Sequence, residues 1–495
     1  MTRRRAREAR EFDPSTIEAL GVRHTGLAID SRKVQPGDLF LAYPGASSDG
    51  RRYIGDAVAA GAVAVLWDDN DFEWDARWRV ANMAVAGLRH QAGRIVSRFF
   101  GEPSRHLWIA GVTGTNGKTS CTHWIAQAMS RLGRPTAVIG TLGSGFPGEL
   151  DASMNTTPDP VSLHRQLDAM RRKGARGVAM EVSSHGLDQG RVNGVDFDVA
   201  LFTNLSRDHL DYHGSMEAYG EAKARLFDWP QLRHAVVNLD DTFGAGLAAR
   251  IDRSRVNVIG YGFGKGEIAG HKLDLSTRGL KLEITSPWGV GTLRAPALGA
   301  FNAHNLLGVA GVLVAGEIAL GEALSALGEI GAVPGRMQTI AVGSGPVVVI
   351  DYAHTPDALE KALQTLRDLL PPKARLHCVF GCGGDRDPGK RPLMGEVATR
   401  LAHRCVITSD NPRTESPRAI IEQIVAGAHP SYHIEEDRAA AIVDALAHAA
   451  AGDVVLIAGK GHENYQEIAG KRLPFDDAEV ARELLARRQE AGRHV

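Results

Sequence analysis

The run Gly111-Val112-Thr113-Gly114-Thr115-Asn116-Gly117-Lys118-Thr119-Ser120 limits more than any other feature what this chain can fold into. It follows an apolar run at 107–112. It precedes a segment in which Cys121, Trp124, Ile125, Ala128, Met129 and Leu132 recur at helical spacing until Gly133. Strand, glycine-rich loop, Lys-Thr and helix make up the setting that a phosphate cradle requires. Loop N–H groups and the helix N-terminus attract phosphate oxygens, Lys118 adds positive charge, and Thr119 can ligate Mg²⁺. Val112 fills the first glycine position of the common pattern. A plain glycine turn would not call for the Lys-Thr pair. Nucleotide binding is therefore expected through Gly114, Thr115, Asn116, Gly117, Lys118, Thr119 and Ser120.

The pattern around this loop is α/β. Apolar runs at 107–112, 137–140, 178–182, 199–203 and 235–239 alternate with helical stretches, which predicts a parallel sheet covered by helices. The last third repeats that logic. A strand at 346–350 is followed by Thr355-Pro356, which caps and opens a helix reaching Leu370. Runs at 376–380, 404–408 and 453–458 each pass directly into a polar loop, at 381–387, 409–413 and 459–463. Ligands of open parallel sheets bind beyond the carboxyl ends of strands, so these three loops should face one crevice. The 495 residues exceed one ordinary core and, at roughly 100–200 residues per domain, divide into about three. Gly101-Glu-Pro-Ser and Val333-Pro334-Gly335-Arg336 mark the divisions, giving 1–101, 102–335 and 336–495.

Composition removes other classes. A net charge of −1 argues against nucleic-acid or membrane-surface binding by bulk electrostatics. Arg3, Arg4, Arg5, Arg7 and Arg10 read as a solvated tail, because no apolar stretch follows to make a signal peptide. The longest apolar stretch, 306–320, contains Glu317 and is too short to insert in a membrane. Cys121, Cys378, Cys382 and Cys405 read as buried reduced thiols, which points to the cytoplasm.

Further polar groups sit at strand ends. Glu181 closes an apolar strand, where it could reach a cation or simply be solvated at the rim. The cluster from Thr203 to His213 is dense in polar residues, although a lone histidine there is more often structural. Lys223 lies in a helical stretch, where a lysine is ordinarily a solvated surface residue.

Taken in order, Thr113-Gly-Thr-Asn-Gly-Lys-Thr119, Asn155-Thr-Thr-Pro158, Glu181-Val-Ser-Ser-His185, Asn204-Leu-Ser-Arg-Asp-His209, Phe301-Asn-Ala-His-Asn305, Gly335-Arg336 and Asp351-Tyr-Ala-His354 carry a family resemblance. The chain resembles the Mur ligases of bacterial cell-wall synthesis over nearly its whole length. Within them it is nearest the MurE group, which extends UDP-N-acetylmuramoyl-L-alanyl-D-glutamate by the third stem-peptide residue. The resemblance implies an N-terminal UDP-binding α/β domain, a central P-loop ATPase domain with a parallel sheet and a C-terminal Rossmann-like domain, acting as a monomer. It also implies two Mg²⁺ ions, one held by Thr119 and Glu181, the other by His209 and a Lys223 carbamylated by CO₂. Asn302, Asn305, Arg336 and Asp351 would contact ATP. Ile29, Ser31, Asn155, Thr156, Thr157, Ser183, Gln189 and Arg191 would grip the UDP-sugar peptide. Some relatives carry His-Gln-Ala where this chain has Ala46-Ser-Ser48, so side-chain contacts from that segment are not carried over, while backbone contacts could survive.

The implied chemistry follows from charge. A carboxylate is a poor electrophile, so it must first attack the γ-phosphate of ATP, and cations must offset the repulsion between two anions. An amine then attacks the acyl phosphate while a closing C-terminal domain keeps water out. In Asp410-Asn411-Pro412-Arg413, Pro412 stiffens the loop and Arg413 presents a fork suited to a carboxylate. By resemblance this segment selects meso-diaminopimelate over lysine, with Arg386, Gly459 and Glu463 completing the contacts. An ordinary turn before the helix at Ser416-Pro417 is the alternative. A lysine-adding or folylpolyglutamate-type ligase, or a nucleotide switch with no covalent product, would leave the segment 29–32 or the C-terminal loops unexplained.

Overall fold

Parallel strands linked through helices dominate the computed structural model, which describes residues 12–45, 48–153, 155–343 and 345–493. The arginines at 3, 4, 5, 7 and 10, together with Ala46 and Ser47, lie outside the described residues. The chain forms two compact units. One comprises Met1–Ala269 with Leu307–Ala323, the other Gly270–Leu306 with Leu324–Val495.

The first unit holds two sheets. Gly26–Ala28, Asp38–Ala42, Ala64–Trp67 and Ala81–Ala84 lie side by side, all parallel. Within this unit the second sheet runs in the order Asn257–Phe263, His234–Asn238, Val199–Phe202, Trp108–Thr113, Gly177–Glu181 and Thr136–Gly140, again parallel. The short strands Gly143–Phe146 and Glu149–Asp151 then continue it antiparallel. Five of these parallel strands match the predicted runs to within about two residues, the usual uncertainty of such boundaries. The antiparallel extension escaped because Gly143 and Gly145 break the apolar period.

Helix Leu88–Phe99 ties the two sheets together. A side chain at Gly93 would collide with the Asn193 carbonyl, so only glycine allows this approach. Beside it, Ser97 Oγ donates to Gly194 O at 3.0 Å and Asn193 Nδ2 donates to His90 O at 2.8 Å. The connection after Gly101 is a short 3₁₀ turn, Pro103–His106, with Pro103 and Ser104 buried. It is a fixed corner, where the sequence reads only as a linker.

The second unit contains the antiparallel pair Gly279–Ser286 and Gly289–Ala295 and a six-stranded sheet. That sheet runs Gln338–Ile340 (antiparallel), then Val347–Asp351, Val454–Ala458, Leu376–Phe380, Arg404–Ile407 and Tyr432–Ile434, all parallel. Side chains alternate between two cores. Val349, Leu456 and Cys378 face one side, and Val348, Ile457 and Val379 face the other. A sheet covered on both faces explains why these strands read as unbroken apolar runs.

Two devices set the rim of this sheet. Thr355 caps the predicted helix Pro356–Leu369 by accepting from Ala358 N. Arg438 and Asp477 form a fully buried bidentate pair, and the guanidinium also donates to Ser409 O and Ala458 O, at the ends of two strands. Next to it, Asp437 caps helix Arg438–His448 by accepting from Ala440 N at 2.8 Å. Asp437→Ala is expected to cost about 1 kcal/mol, read as a lower urea midpoint at unchanged slope.

Candidate active site

The glycine loop bends where Gly114 takes φ +143°, with no room for a side chain against Thr203 and Asn204. It is laced to the next strand end. Thr115 N donates to Asn204 O at 2.8 Å, Asn116 N donates to Asn204 Oδ1 at 3.1 Å, and Thr203 Oγ1 donates to Asn116 O at 2.6 Å. Gly117 precedes helix Lys118–Arg131, whose first turn buries Thr119 and Ser120. That helix buries Thr122 and His123 as well, so it packs on more than the one predicted face.

Two lysines converge on one oxygen here. Lys118 Nζ donates to Gly114 O at 2.9 Å and to Thr115 O at 2.8 Å, and Lys223 Nζ donates to the same Gly114 O at 2.8 Å. Lys223 leaves helix Met216–Ala224 and is only 1 % exposed. It lies 4.4 Å from the Tyr219 ring centre, and the Tyr219 hydroxyl is 3.2 Å from Thr115 Oγ1. Burial, and then the nearby Lys118 charge, push the Lys223 amine down to about 6. The solvated surface lysine that the sequence suggests is absent. His209 stands at φ +52° at the start of a short helix, its ring 5.9 Å from Tyr219 and 4.8 Å from His185.

Glu181 ends the strand beside the loop's own strand, in register with Val112. It is buried, not solvated at the rim: Thr141 N donates to Oε1 at 2.8 Å and Thr141 Oγ1 to Oε2 at 3.2 Å. A Cβ at Gly140 would crowd this carboxylate and force it to shift. Thr156 Oγ1 lies 3.0 Å from Thr141 Oγ1, and Thr157 Oγ1 donates to the Glu181 carbonyl at 2.9 Å. Ser183 N in turn donates to Thr157 Oγ1 at 3.0 Å. Arg191 donates to Thr157 O at 2.9 Å and to Gln189 Oε1 at 2.8 Å. Thr157 thus touches Glu181 directly, Thr156 reaches it through Thr141, and Ser183, Arg191 and Gln189 are chained to it through Thr157, with Asn155 exposed beside Thr156. Ile29 and Ser31 stand apart, in the segment leaving strand Gly26–Ala28.

In the second unit the three predicted loops do meet. Asn411 Nδ2 donates to Glu463 Oε2 at 2.7 Å, Gly384 N donates to Asn411 O at 2.9 Å, and Arg413 Nη1 donates to Gly384 O at 2.6 Å. Gln466 Nε2 donates to the Asp410 carbonyl at 2.8 Å. Pro412 and Gly459 shape the turns, while Arg386 extends from the first loop and is exposed. Asn302 and Asn305 share a helix face, with Asn305 Nδ2 donating to Asn302 Oδ1 at 3.0 Å. Arg336 and Asp351 meet through the backbone: Met337 N donates to Asp351 Oδ2 at 2.8 Å, and burial raises the Asp351 carboxyl. Thr141, Tyr219 and Lys460 were missed in sequence. Only Lys460 left a signal, a lysine between two glycines after an apolar strand.

Family models match consecutively: Mur ligase family, catalytic domain, over 23–100; Mur ligase middle domain over 112–313; and Mur ligase, glutamate ligase domain, over 335–461. The chain is 53% identical over 477 residues to the UDP-N-acetylmuramoyl-L-alanyl-D-glutamate--2,6-diaminopimelate ligase of Chromobacterium violaceum, covering 96% of this chain and 97% of the relative. The chain belongs to the Mur ligase family. A second Mur ligase relative, bearing the same enzyme name in Pseudomonas aeruginosa, is 50% identical over 462 residues, with 93% and 94% covered. A solved Mur ligase with that name superimposes at TM-score 0.72 and 38% identity, covering 94% of this chain and 95% of that one. A MurF ligase from Thermotoga maritima solved in complex with ADP superimposes at TM-score 0.60 and 18% identity, covering 95% and 99%; it bears on the fold alone. The three-domain α/β Mur ligase fold is therefore that of this chain. Among the described residues, no helix is long and apolar enough to cross a membrane.

Proposed function

We infer that this chain is an ATP-dependent amide ligase that adds meso-diaminopimelate to UDP-N-acetylmuramoyl-L-alanyl-D-glutamate, a step of peptidoglycan precursor synthesis. The observation that carries this reading is identity of about half, along 96% and 93% of the chain, to two ligases of that name. The D-glutamyl carboxylate oxygen attacks the γ-phosphorus of ATP, the bond to ADP breaks, and an acyl phosphate forms. The amine of the amino acid then attacks the acyl carbon, phosphate leaves from the tetrahedral intermediate, and the nitrogen loses a proton.

The chain's own residues divide this work. Lys118 and the N–H groups of the loop 114–120 would draw in the ATP phosphates. Thr119 and Glu181 offer a hydroxyl and a buried carboxylate, hard oxygen donors that fit Mg²⁺. His209 and a carbamylated Lys223 would hold a second ion; a depressed amine is the form that can take up CO₂. Bound Mg²⁺ supplies charge neutralisation as the phosphoryl group transfers. Asn302, Asn305, Arg336 and Asp351 would bind nucleotide. Ile29, Ser31, Asn155, Thr156, Thr157, Ser183, Gln189 and Arg191 would bind the UDP-sugar peptide. Asp410, Asn411, Pro412, Arg413, Arg386, Gly459 and Glu463 would receive diaminopimelate. The proposed domains are 1–101, 102–335 and 336–495, in a monomer working in the cytoplasm.

ADP release measured with the UDP-muramoyl dipeptide tests the reading. Release is expected only when meso-diaminopimelate is added, with lysine a poor substitute. Release indifferent to the amino acid would overturn the ligase assignment. Equal rates with lysine would overturn only the choice of amino acid.

A further inference from the structure

We propose that Lys460 is a positioning residue for the amino-acid site, its buried ammonium setting the Asn411 amide and the Glu463 carboxylate in the orientation that receives an ammonium group of the diamino acid. The inference rests on the reading of the three interlaced loops as that site.

Lys460 is fully buried, between Gly459 at φ +111° and Gly461 at φ +56°. A buried ammonium needs an acceptor for each of its three N–H bonds. Lys460 has them: Asn411 Oδ1 at 3.2 Å, Glu463 Oε2 at 3.3 Å and the Tyr465 carbonyl. Asn411 Oδ1 also accepts from Glu467 N at 2.9 Å. With two donors facing Oδ1, the amide can turn only one way, and its Nδ2 meets Glu463 Oε2 at 2.7 Å. Both bonds to the Glu463 side chain therefore use Oε2. The lysine thus joins the loops 409–413 and 459–463 through a single charge and fixes which carboxylate oxygen is engaged from within the protein. Without it, Glu463 Oε2 loses the ammonium it meets directly, and the Asn411 amide loses one of the two donors that orient it.

The test uses the full-length chain and compares Lys460→Met, Glu463→Gln and the double variant. Lys460→Met is expected to raise KM for meso-diaminopimelate at least ~10-fold, as for loss of a charge-assisted hydrogen bond, with KM for ATP and for the UDP-muramoyl dipeptide unchanged within about 2-fold. In the double variant the two effects should fall short of their product, since both act through one carboxylate. If Lys460→Met does not yield folded protein, Lys460→Gln, which keeps a donor without the charge, is judged by the same measures. An unchanged or lowered KM for the amino acid, alongside a raised KM in Glu463→Gln, would overturn the role of Lys460 while leaving the site reading intact. Equal rises in all three KM values, or strictly multiplicative effects, would also overturn it. If neither Lys460→Met nor Glu463→Gln moves the amino-acid KM, the site reading itself falls.

Discussion

Lys223→Arg is expected to reduce turnover at least ~10²–10³-fold, the scale of losing a group that stabilises charge in a transition state. The lysine has almost no contact with water and shares the Gly114 carbonyl with Lys118. Its amine is held near 6 because burial and the second lysine both disfavour the ammonium form. A neutral amine can add to CO₂ and become an anionic oxygen ligand. Arginine stays protonated at every accessible pH and cannot. The sign of the pH dependence follows. As pH falls through about 6 the ammonium form grows, carbamate is lost and activity should fall with it. Enzyme stripped of CO₂ should regain activity on adding bicarbonate well above that pH, and a carbamate carbon signal in a ¹³C spectrum should appear in parallel. Near-normal turnover in Lys223→Arg would remove the residue from the proposed metal site.

Arg413→Ala is expected to lower kcat/KM for meso-diaminopimelate by ~10²–10³, matching the ~2–5 kcal/mol lost when one partner of a buried charge pair is truncated. The effect should fall on KM for the amino acid and spare KM for ATP. Arg413 occupies a left-handed conformation at φ +53°, and its N–H donates to Glu467 O at 2.9 Å. Gly384 O holds one arm of the guanidinium, with Glu467 Oε2 3.9 Å from Nε. The arm is braced in place before any substrate arrives, so little ordering remains when a carboxylate binds. Discrimination against lysine should shrink in the same variant, because lysine lacks the carboxylate that Arg413 would meet. Equal rises in KM for ATP and for the amino acid would place Arg413 elsewhere.

Much of this arrangement was legible beforehand, for identifiable reasons. The parallel strands of both large sheets have continuous apolar runs because helices cover both faces, and that signal survives in one dimension. The meeting of the loops 381–387, 409–413 and 459–463 followed from strand direction alone. The antiparallel strands near Gly143 and Gly145 did not show, since glycine gives no period to read. Tyr219 and Thr141 did not show either: an aromatic on a helix and a threonine after a strand are ordinary in any sequence.

What the sequence determined by itself is therefore the family and where its polar groups lie: a glycine-rich loop with Lys-Thr at 111–120, a strand-end acid at 181, and three loops at the ends of parallel strands. The tertiary structure alone decided the state of those groups. Lys223 and the Gly114 carbonyl lie 109 positions apart, and Lys460 and Asn411 lie 49 apart. Desolvation and Coulomb interaction depend on separation through space, so only folding could turn one lysine into a neutral amine and the other into a buried brace.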